Sequence, residues 1–414
     1  MLLLKLAFRN IFRQRRRSLL TALSMGGGFY LCAIAISMTD GSYNNIIRAF
    51  TLSQTGHIQI HKGNYLLRPK IHTTIDNPFE LSTILDNDSS VKSHAQRVYA
   101  PALAYSDTDN NPASVRGLDL EQEAMTTRIK QKVTSGEYIN ANMDDEGYFQ
   151  AMIGAGLVDA LNIGLGGEII LISQGADGSV ANDVYKVGAI IGEKDSPERY
   201  NVYLPLLAAQ EFLSMPGRVH EIAIVLNDDK AARSVARSLQ SRMQTQLPDQ
   251  FSGLTVSPWQ VVESTFYKTM QSDKEGNKFS LGIIIFIVFI GVLNTVLMSV
   301  LERTREFGVL IAIGSRPFTI TTLITLEMGI LALLSIAAAL VFALPSVIWF
   351  TEVGFEMAQP MDVGGFMFSH MRGEFSATVF TTPALIILGS ALLVSIPPGL
   401  RAARIAPTKA MGAH

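Results

Sequence analysis

Residues 279–301 form a run of twenty-three side chains without a charge. A helix rising ~1.5 Å per residue carries such a run across the ~30 Å hydrocarbon core of a bilayer with little to spare, so the run predicts a transmembrane helix. Directly after it stand Glu302-Arg303-Thr304-Arg305-Glu306, then Phe307, Val309, Leu310, Ile311 and Ile313. This is the pattern of a short amphipathic helix, stopped by Gly314 and by Pro317, a residue poorly tolerated in a helix interior. A charged helix across the mouth of a membrane bundle is a handle for something in the water.

The chain of 414 residues is 48% hydrophobic and 17% charged, too apolar for an ordinary soluble protein and too polar to lie wholly in a membrane. Part bundle and part soluble domain is the expectation. A net charge of −2 gives no general attraction to nucleic acid, and no basic stripe with interleaved aromatics lies outside the membrane flanks, so nucleic acid is not an expected partner. Cys32 is the single cysteine, which excludes an intrachain disulfide and a cysteine-based zinc site.

In chain order, residues 1–18 place Lys5, Arg9, Arg13 and Arg16 at spacings of four, four and three, with Leu4, Phe8, Ile11 and Phe12 on another side. The pattern predicts an amphipathic helix at the membrane surface, basic face toward lipid phosphates. Residues 19–39 are twenty-one uncharged residues, a first spanning helix in which Gly26-Gly27-Gly28 permits close packing. A signal peptide is the rival, with Ala33-Ile34-Ala35 as cleavage site, but the run exceeds the ~7–15 residues of a signal core. Residues 40–278 contain no spanning run and read as an α+β domain. Strands are expected around 57–61, 184–187 and 222–226, helices at 156–161, 206–213 and 230–243, and turns at 107–112 and 175–178. Residues 258–278 read as a stalk into the second spanning helix, with a break at Gly276-Asn277. A third spanning helix is expected within 317–350, Glu327 being its one ionisable side chain, then a loop over 351–379 and a fourth helix over 380–400 closing at Pro397-Pro398. The fold class is thus a four-helix membrane bundle with a large extracytoplasmic α+β domain between the first two helices.

Orientation follows from basic residues near helix ends. The N-terminal segment, the 302–316 segment (Arg303, Arg305, Arg316) and the 401–414 tail (Arg401, Arg404, Lys409) are basic, whereas 351–379 has Arg372 against Glu352, Glu356, Asp362 and Glu374. Both termini and the 302–316 segment are therefore expected in the cytoplasm, and 40–278 outside it.

Several motifs resemble one family. Ala7-Phe8-Arg9-Asn10-Ile11 with the following arginines, Val115-Arg116-Gly117-Leu118-Asp119, Ile153-Gly154-Ala155-Gly156-Leu157, Gly291-Val292-Leu293-Asn294, Glu302 to Val309, Ala312-Ile313-Gly314 and Arg401-Ala402-Ala403-Arg404-Ile405-Ala406-Pro407 are similar to signatures of the FtsX-like permeases of the MacB and LolC/LolE type of ABC transporter. Ala406 and Lys409 stand where that family often has acidic residues, and 351–379 is longer than in MacB. The resemblance implies a non-catalytic permease of a bacterial inner membrane that works with a second permease copy or paralogue and a cytoplasmic ATPase. It further implies that residues 302–316 form the coupling helix, with Glu302, Arg303, Arg305 and Glu306 as its charges, Phe307 and Leu310 as an apolar anchor, Gly308 as a close-approach point and Gly314 as its stop. No G-x-x-x-x-G-K-[ST] occurs, so ATP and Mg are expected on the partner and no cofactor on this chain. The implied cargo is a lipoprotein, a lipid-like or amphipathic molecule, or a peptide or drug passed through a periplasmic adaptor to an outer-membrane channel.

Blander readings stand beside these. The 302–313 segment also fits a charged helix end snorkelling at the interface. Glu327 reads as a partner for an interfacial arginine or backbone group, or as part of the coupling or dimer interface. Asn294 is expected to bond between helices. Gly154-x-Gly156 lacks the third glycine of a dinucleotide loop and reads as a turn into a helix. His57, His61 and His72 show no carboxylate convergence, so no metal site is expected, and no catalytic residues stand out. The rival function is an FtsX-like module that regulates cell-wall hydrolases without transport.

Overall fold

The computed structural model describes residues 2–13, 15–246, 253–363 and 366–404. Two compact units emerge, one of residues 1–45, 270–360 and 368–414, the other of residues 46–269 with 361–367.

The first unit holds helices long and apolar enough to cross a membrane. After the short helix Leu2–Arg13, the first spanning helix is Arg15–Phe50, extended by a π-helical turn over Thr51–Thr55. It thus begins earlier and ends later than its apolar run. The second is Ser264–Glu302, the third Pro317–Glu352 and the fourth Ala377–Ala403. Two sequence-based breaks are corrected. The second helix runs straight through Gly276-Asn277, where Lys274 Nζ sits 4.9 Å from the Tyr43 ring centre and Asn277 Nδ2 lies 3.3 Å from Tyr43 Oη. A mid-helix glycine costs ~1 kcal/mol, an amount such side-chain contacts offset. The fourth helix likewise continues past Pro397-Pro398 to Ala403, held against the third by the Ser395 hydroxyl donating to Thr325 Oγ1 (3.0 Å). Neighbouring helices and hydroxyl side chains are what make proline tolerable in spanning helices. Residues 351–379, expected as a loop, carry two strands, Phe355–Val363 and Phe366–Met371, paired as a two-stranded sheet. The bundle core gathers Met25 and Phe29, Val292 and Val296, Ile324 and Ala332, and Ile387 and Ala391. Of the three consecutive glycines, Gly26 and Gly28 are packing points: a Cβ there would lie 3.2 Å from Ser335 O and 2.6 Å from Val288 Cγ2, while Gly27 faces open space.

The second unit is built on a mixed ten-stranded sheet. Its longest strand, Val91–Tyr105, pairs antiparallel with Glu221–Leu226 on one side and Asn110–Leu118 on the other. Ile58–Lys62 continues the sheet beyond Glu221–Leu226 and is followed by Leu254–Pro258. On the opposite flank Asn201–Pro205 lies parallel to Asn110–Leu118, then come Gln150–Gly154, Val180–Ile191 and Val133–Gly136. The expected strands and the helices Ala155–Leu161, Leu206–Phe212 and Ala232–Gln246 lie where periodicity put them. The turn placed at 107–112 is shorter, because Asn110 already opens a strand.

One strand departs from its pattern. The alternation His57-Ile58-Gln59-Ile60-His61 predicts a half-buried strand, yet all five side chains are buried. Most of their polar atoms are hydrogen-bonded, His57 Nε2 being an exception: Gln59 Nε2 donates to Thr55 O (2.8 Å) and His61 Nδ1 lies 3.1 Å from His220 O. His57 Nδ1 accepts from the Leu226 amide (2.9 Å), and His220 Nδ1 accepts from the Tyr99 amide (3.0 Å) while its Nε2 donates to Ile71 O (2.8 Å). An imidazole accepting at Nδ1 is neutral, and burial pushes both His57 and His220 below the ordinary value of 6.5.

Two measurements follow from this packing. The unfolded chain takes up protons on these histidines below pH 6.5 while the folded one resists, so their stabilisation is complete above 6.5 and is lost as pH falls below it. With Trp349→Phe leaving Trp259 as sole reporter, fluorescence-detected melting should shift to lower temperature between pH 7 and pH 5, by about 2–4 °C for each kcal/mol lost. Gly154→Ala should also destabilise this unit, by roughly 1–3 kcal/mol, because its Cβ would lie 2.0 Å from the Glu198 carbonyl oxygen; the guanidinium midpoint read through Trp259 checks it.

Candidate coupling site

The turn after the second spanning helix is set by Arg303. Thr304–Ala312 forms the short helix, with Arg303 as the residue before it. Gly314 takes φ +95°, a conformation glycine adopts without strain, and Ser315 N donates to Leu310 O (3.0 Å), closing the helix before Pro317 opens the third spanning one.

Arg303 is only 8% exposed. Its Nη1 donates to both carboxylate oxygens of Glu327 (3.1 and 2.9 Å), its Nε to Glu306 (3.0 Å), and its guanidinium carbon lies 5.1 Å from the Phe307 ring centre. Glu327 is therefore the partner of Arg303. The outer carboxylates reach the N-terminal segment: Arg13 pairs with Glu306 (2.8 Å) and Arg17 with Glu302 (2.9 Å). These outer pairs are partly exposed and worth ~0–1 kcal/mol each, whereas removing one partner of a buried pair costs about 3–5 kcal/mol. Arg303 with Glu327 is thus the hub, and the two outer pairs adjust around it.

The hub fixes which side of the short helix is buried. Phe307 and Gly308 are buried and Leu310 packs against the bundle core. The sequence reading turned Arg303, Phe307 and Gly308 toward a partner; the structure turns them inward, because the charge of Glu327 sits on that side. Arg305, Val309 and Ile313, spaced by four residues and so on one face, are exposed, as is Gly314. Glu302 is exposed and Glu306 half-buried, both held in ion pairs.

Lys5, Arg9, Arg13 and Arg16 are all exposed, while Ala7 and Ile11 of the same segment are buried. Asn294 faces outward from the second spanning helix. Ile405, Ala406, Pro407 and Lys409 lie outside the described residues. Among the described residues no three His, Cys, Asp or Glu side chains converge as metal ligands.

The sequence reading missed two constellations. The complementary ladder of Arg13 and Arg17 against Glu302 and Glu306, each pair four apart, had a signal in that matched spacing. In the second unit Arg97, fully buried, donates to both Glu123 oxygens (2.8 and 2.7 Å), to Glu221 (2.8 Å) and to the Gln54 carbonyl at the root of the first spanning helix. Burial opposes that charge but the two carboxylates hold the guanidinium well above its ordinary pKa. Its partners stand 26 and 124 residues away, so no local pattern points to it. Close by in the same unit, Phe50 stacks on Phe266 (centroids 4.9 Å), joining the end of the first spanning helix to the start of the second.

Two family models match the chain. The MacB-like periplasmic core domain matches residues 18–242, and the FtsX-like permease C-terminal domain matches residues 278–407. Among solved structures, the periplasmic region of MacB from Actinobacillus actinomycetemcomitans is similar at 14% identity, covering 50% of this chain and 91% of that one with a TM-score of 0.38. The extracellular domain of the noncanonic ABC-type transporter YknZ from Gram-positive bacteria is similar at 12% identity, covering 48% of this chain and 98% of that one with a TM-score of 0.36. No curated protein is detectably similar. The two domain matches together span most of the sequence, and the chain belongs to the MacB-like, FtsX-like family of ABC transporter permeases.

Proposed function

We propose that this chain is the transmembrane subunit of a bacterial ABC transporter and that its short helix Thr304–Ala312 is the docking element for a cytoplasmic ATPase. The termini lie on the ATPase side and the α+β domain in the periplasm. Two permeases, identical or paralogous, complete the assembly. ATP-driven closure of the ATPases moves the bundle between two states, and the periplasmic domain uses that motion to extract or pass on a lipoprotein or another amphipathic molecule. Such a device requires ATP binding to favour one bundle state over the other.

The observation that carries the reading is the division of the short helix into two faces. One is locked to the bundle by Arg303, Glu327 and Phe307, so a push on the helix reaches the third spanning helix directly. The other leaves Arg305, Val309 and Ile313 in the open, a cation beside two apolar side chains, the composition of an interface anchor.

Arg305→Glu combined with Ile313→Asp should weaken ATPase retention by roughly thirtyfold or more, the equivalent of losing a hot spot of about 2 kcal/mol, with bundle melting unchanged. Binding-competition measurements against the parent permease check this, and unchanged retention rejects the docking face. Arg303→Met should behave differently: it leaves Glu327 unpaired and should cost the bundle about 3–5 kcal/mol, seen as a lower melting temperature in micelles before any ATPase is added.

A further inference from the structure

A groove of about 890 Å³ runs between the first and third spanning helices. One end is formed by Phe12, Arg15 and Ser18, the other by Tyr30, Pro345 and Ser346, and between them the walls are made by Leu23, Gly27, Leu334, Ala338 and Phe342. At ~1.5 Å per residue the distance from Arg15 to Tyr30 is about 22 Å along the helix, against a half-thickness of ~15 Å for the hydrocarbon core. The groove is therefore long enough for one leaflet's acyl chain together with its glycerol.

The polar atoms on the walls are already committed. Ser18 donates to Ile11 O (2.8 Å), Ser335 donates to Leu331 O (2.6 Å), and the Tyr30 hydroxyl lies 3.2 Å from Ser346 Oγ. An occupant of the long middle section gains nothing from polar groups of its own. Arg15 is the exception. It is exposed and has no carboxylate partner among the described residues, whereas Arg13 and Arg17 on either side are taken by Glu306 and Glu302. The groove thus asks for hydrocarbon along its length and an anion at the end near the N-terminal helix. Gly27 matters here because a Cβ would meet nothing within 4 Å, so its missing side chain is width given to the groove rather than to helix packing.

From this we infer that the groove is a binding site for an anionic glycerophospholipid of the leaflet next to the N-terminal helix, with an acyl chain lying along Gly27 and Ala338 and the phosphate at Arg15. The bound lipid acts as a fixed part of the bundle, filling the seam between the first and third spanning helices. This site needs only the spanning helices and does not depend on the docking face, so ATPase retention and lipid retention test separate statements.

The full-length chain is reconstituted in nanodiscs containing equal parts phosphatidylglycerol and phosphatidylcholine, extracted in mild detergent, and the lipids that stay bound are counted by native mass spectrometry. The parent chain should retain phosphatidylglycerol over phosphatidylcholine, and Arg15→Gln should reduce that preference roughly fivefold, the weight of one basic side chain at an anionic surface. Gly27→Leu, filling the groove, should lower retention of both lipids, and Ala338→Phe should do the same from the opposite wall. Melting in pure phosphatidylcholine shows whether each variant folds, and the two groove-filling variants make the outcome independent of either one. Equal retention of the two lipids by the parent overturns the proposal. So does unchanged retention in all folded variants, or efficient disulfide formation between two copies of an Ala338→Cys chain, which would show that protein covers the groove.

Discussion

Hydrocarbon offers no water to a peptide group or a charge, and the membrane unit follows from that shortage. Helices satisfy their own backbone, and the ionisable side chain within the third apolar run must be answered by another protein group. Arg303 answers Glu327 with two hydrogen bonds to one carboxylate. Because that arginine precedes the short helix, the pair also decides how the helix is rolled, and with it that Phe307 enters the core while Arg305 faces out. The local geometry of the short helix is in this sense a by-product of neutralising one carboxylate.

The α+β domain meets the same shortage in its interior and resolves it differently. Arg97 is enclosed by Glu123 and Glu221, and its remaining donor capacity goes to the Gln54 carbonyl. Replacing such a cluster by apolar residues is often neutral or better for stability, so its value lies in what it joins: a central strand, a helix and the end of the π-helical turn that follows the first spanning helix. The stack of Phe50 on Phe266 adds an apolar tie between the two helix ends.

Much of the architecture was legible because it depends on composition over long windows. The uncharged runs marked the four spanning helices, and the β-branched stretches around Ile58–Lys62 and Glu221–Leu226 marked two neighbouring strands of one sheet. What failed was inference from single residues. Gly276, Pro397 and Pro398 read as breaks, since each is unfavourable in an isolated helix, but tertiary contacts at Tyr43 and Thr325 outweigh these local preferences. Burial of His57, Gln59 and His61 was hidden for a related reason: alternation separates two faces of a strand without saying whether the second is also covered. In the short helix after the second spanning one an amphipathic pattern was visible, whereas its roll was not, because that is set by Glu327, twenty-four positions from Arg303 along the chain.

That separation along the chain has a consequence for how the protein is made. A lone carboxylate within an apolar segment opposes entry into the bilayer, and the cost grows toward the helix centre, where it reaches ~2.5–3.5 kcal/mol on insertion scales. Arg303 is synthesised first, at the end of the second helix, and Glu327 emerges within the third. If the two meet while the third helix is still at the insertion machinery, the second and third helices enter as a pre-paired hairpin whose charges cancel. The pair that orients the short helix Thr304–Ala312 would then also act as an assembly check, favouring bundles in which the third helix has found its correct neighbour before it is released into lipid.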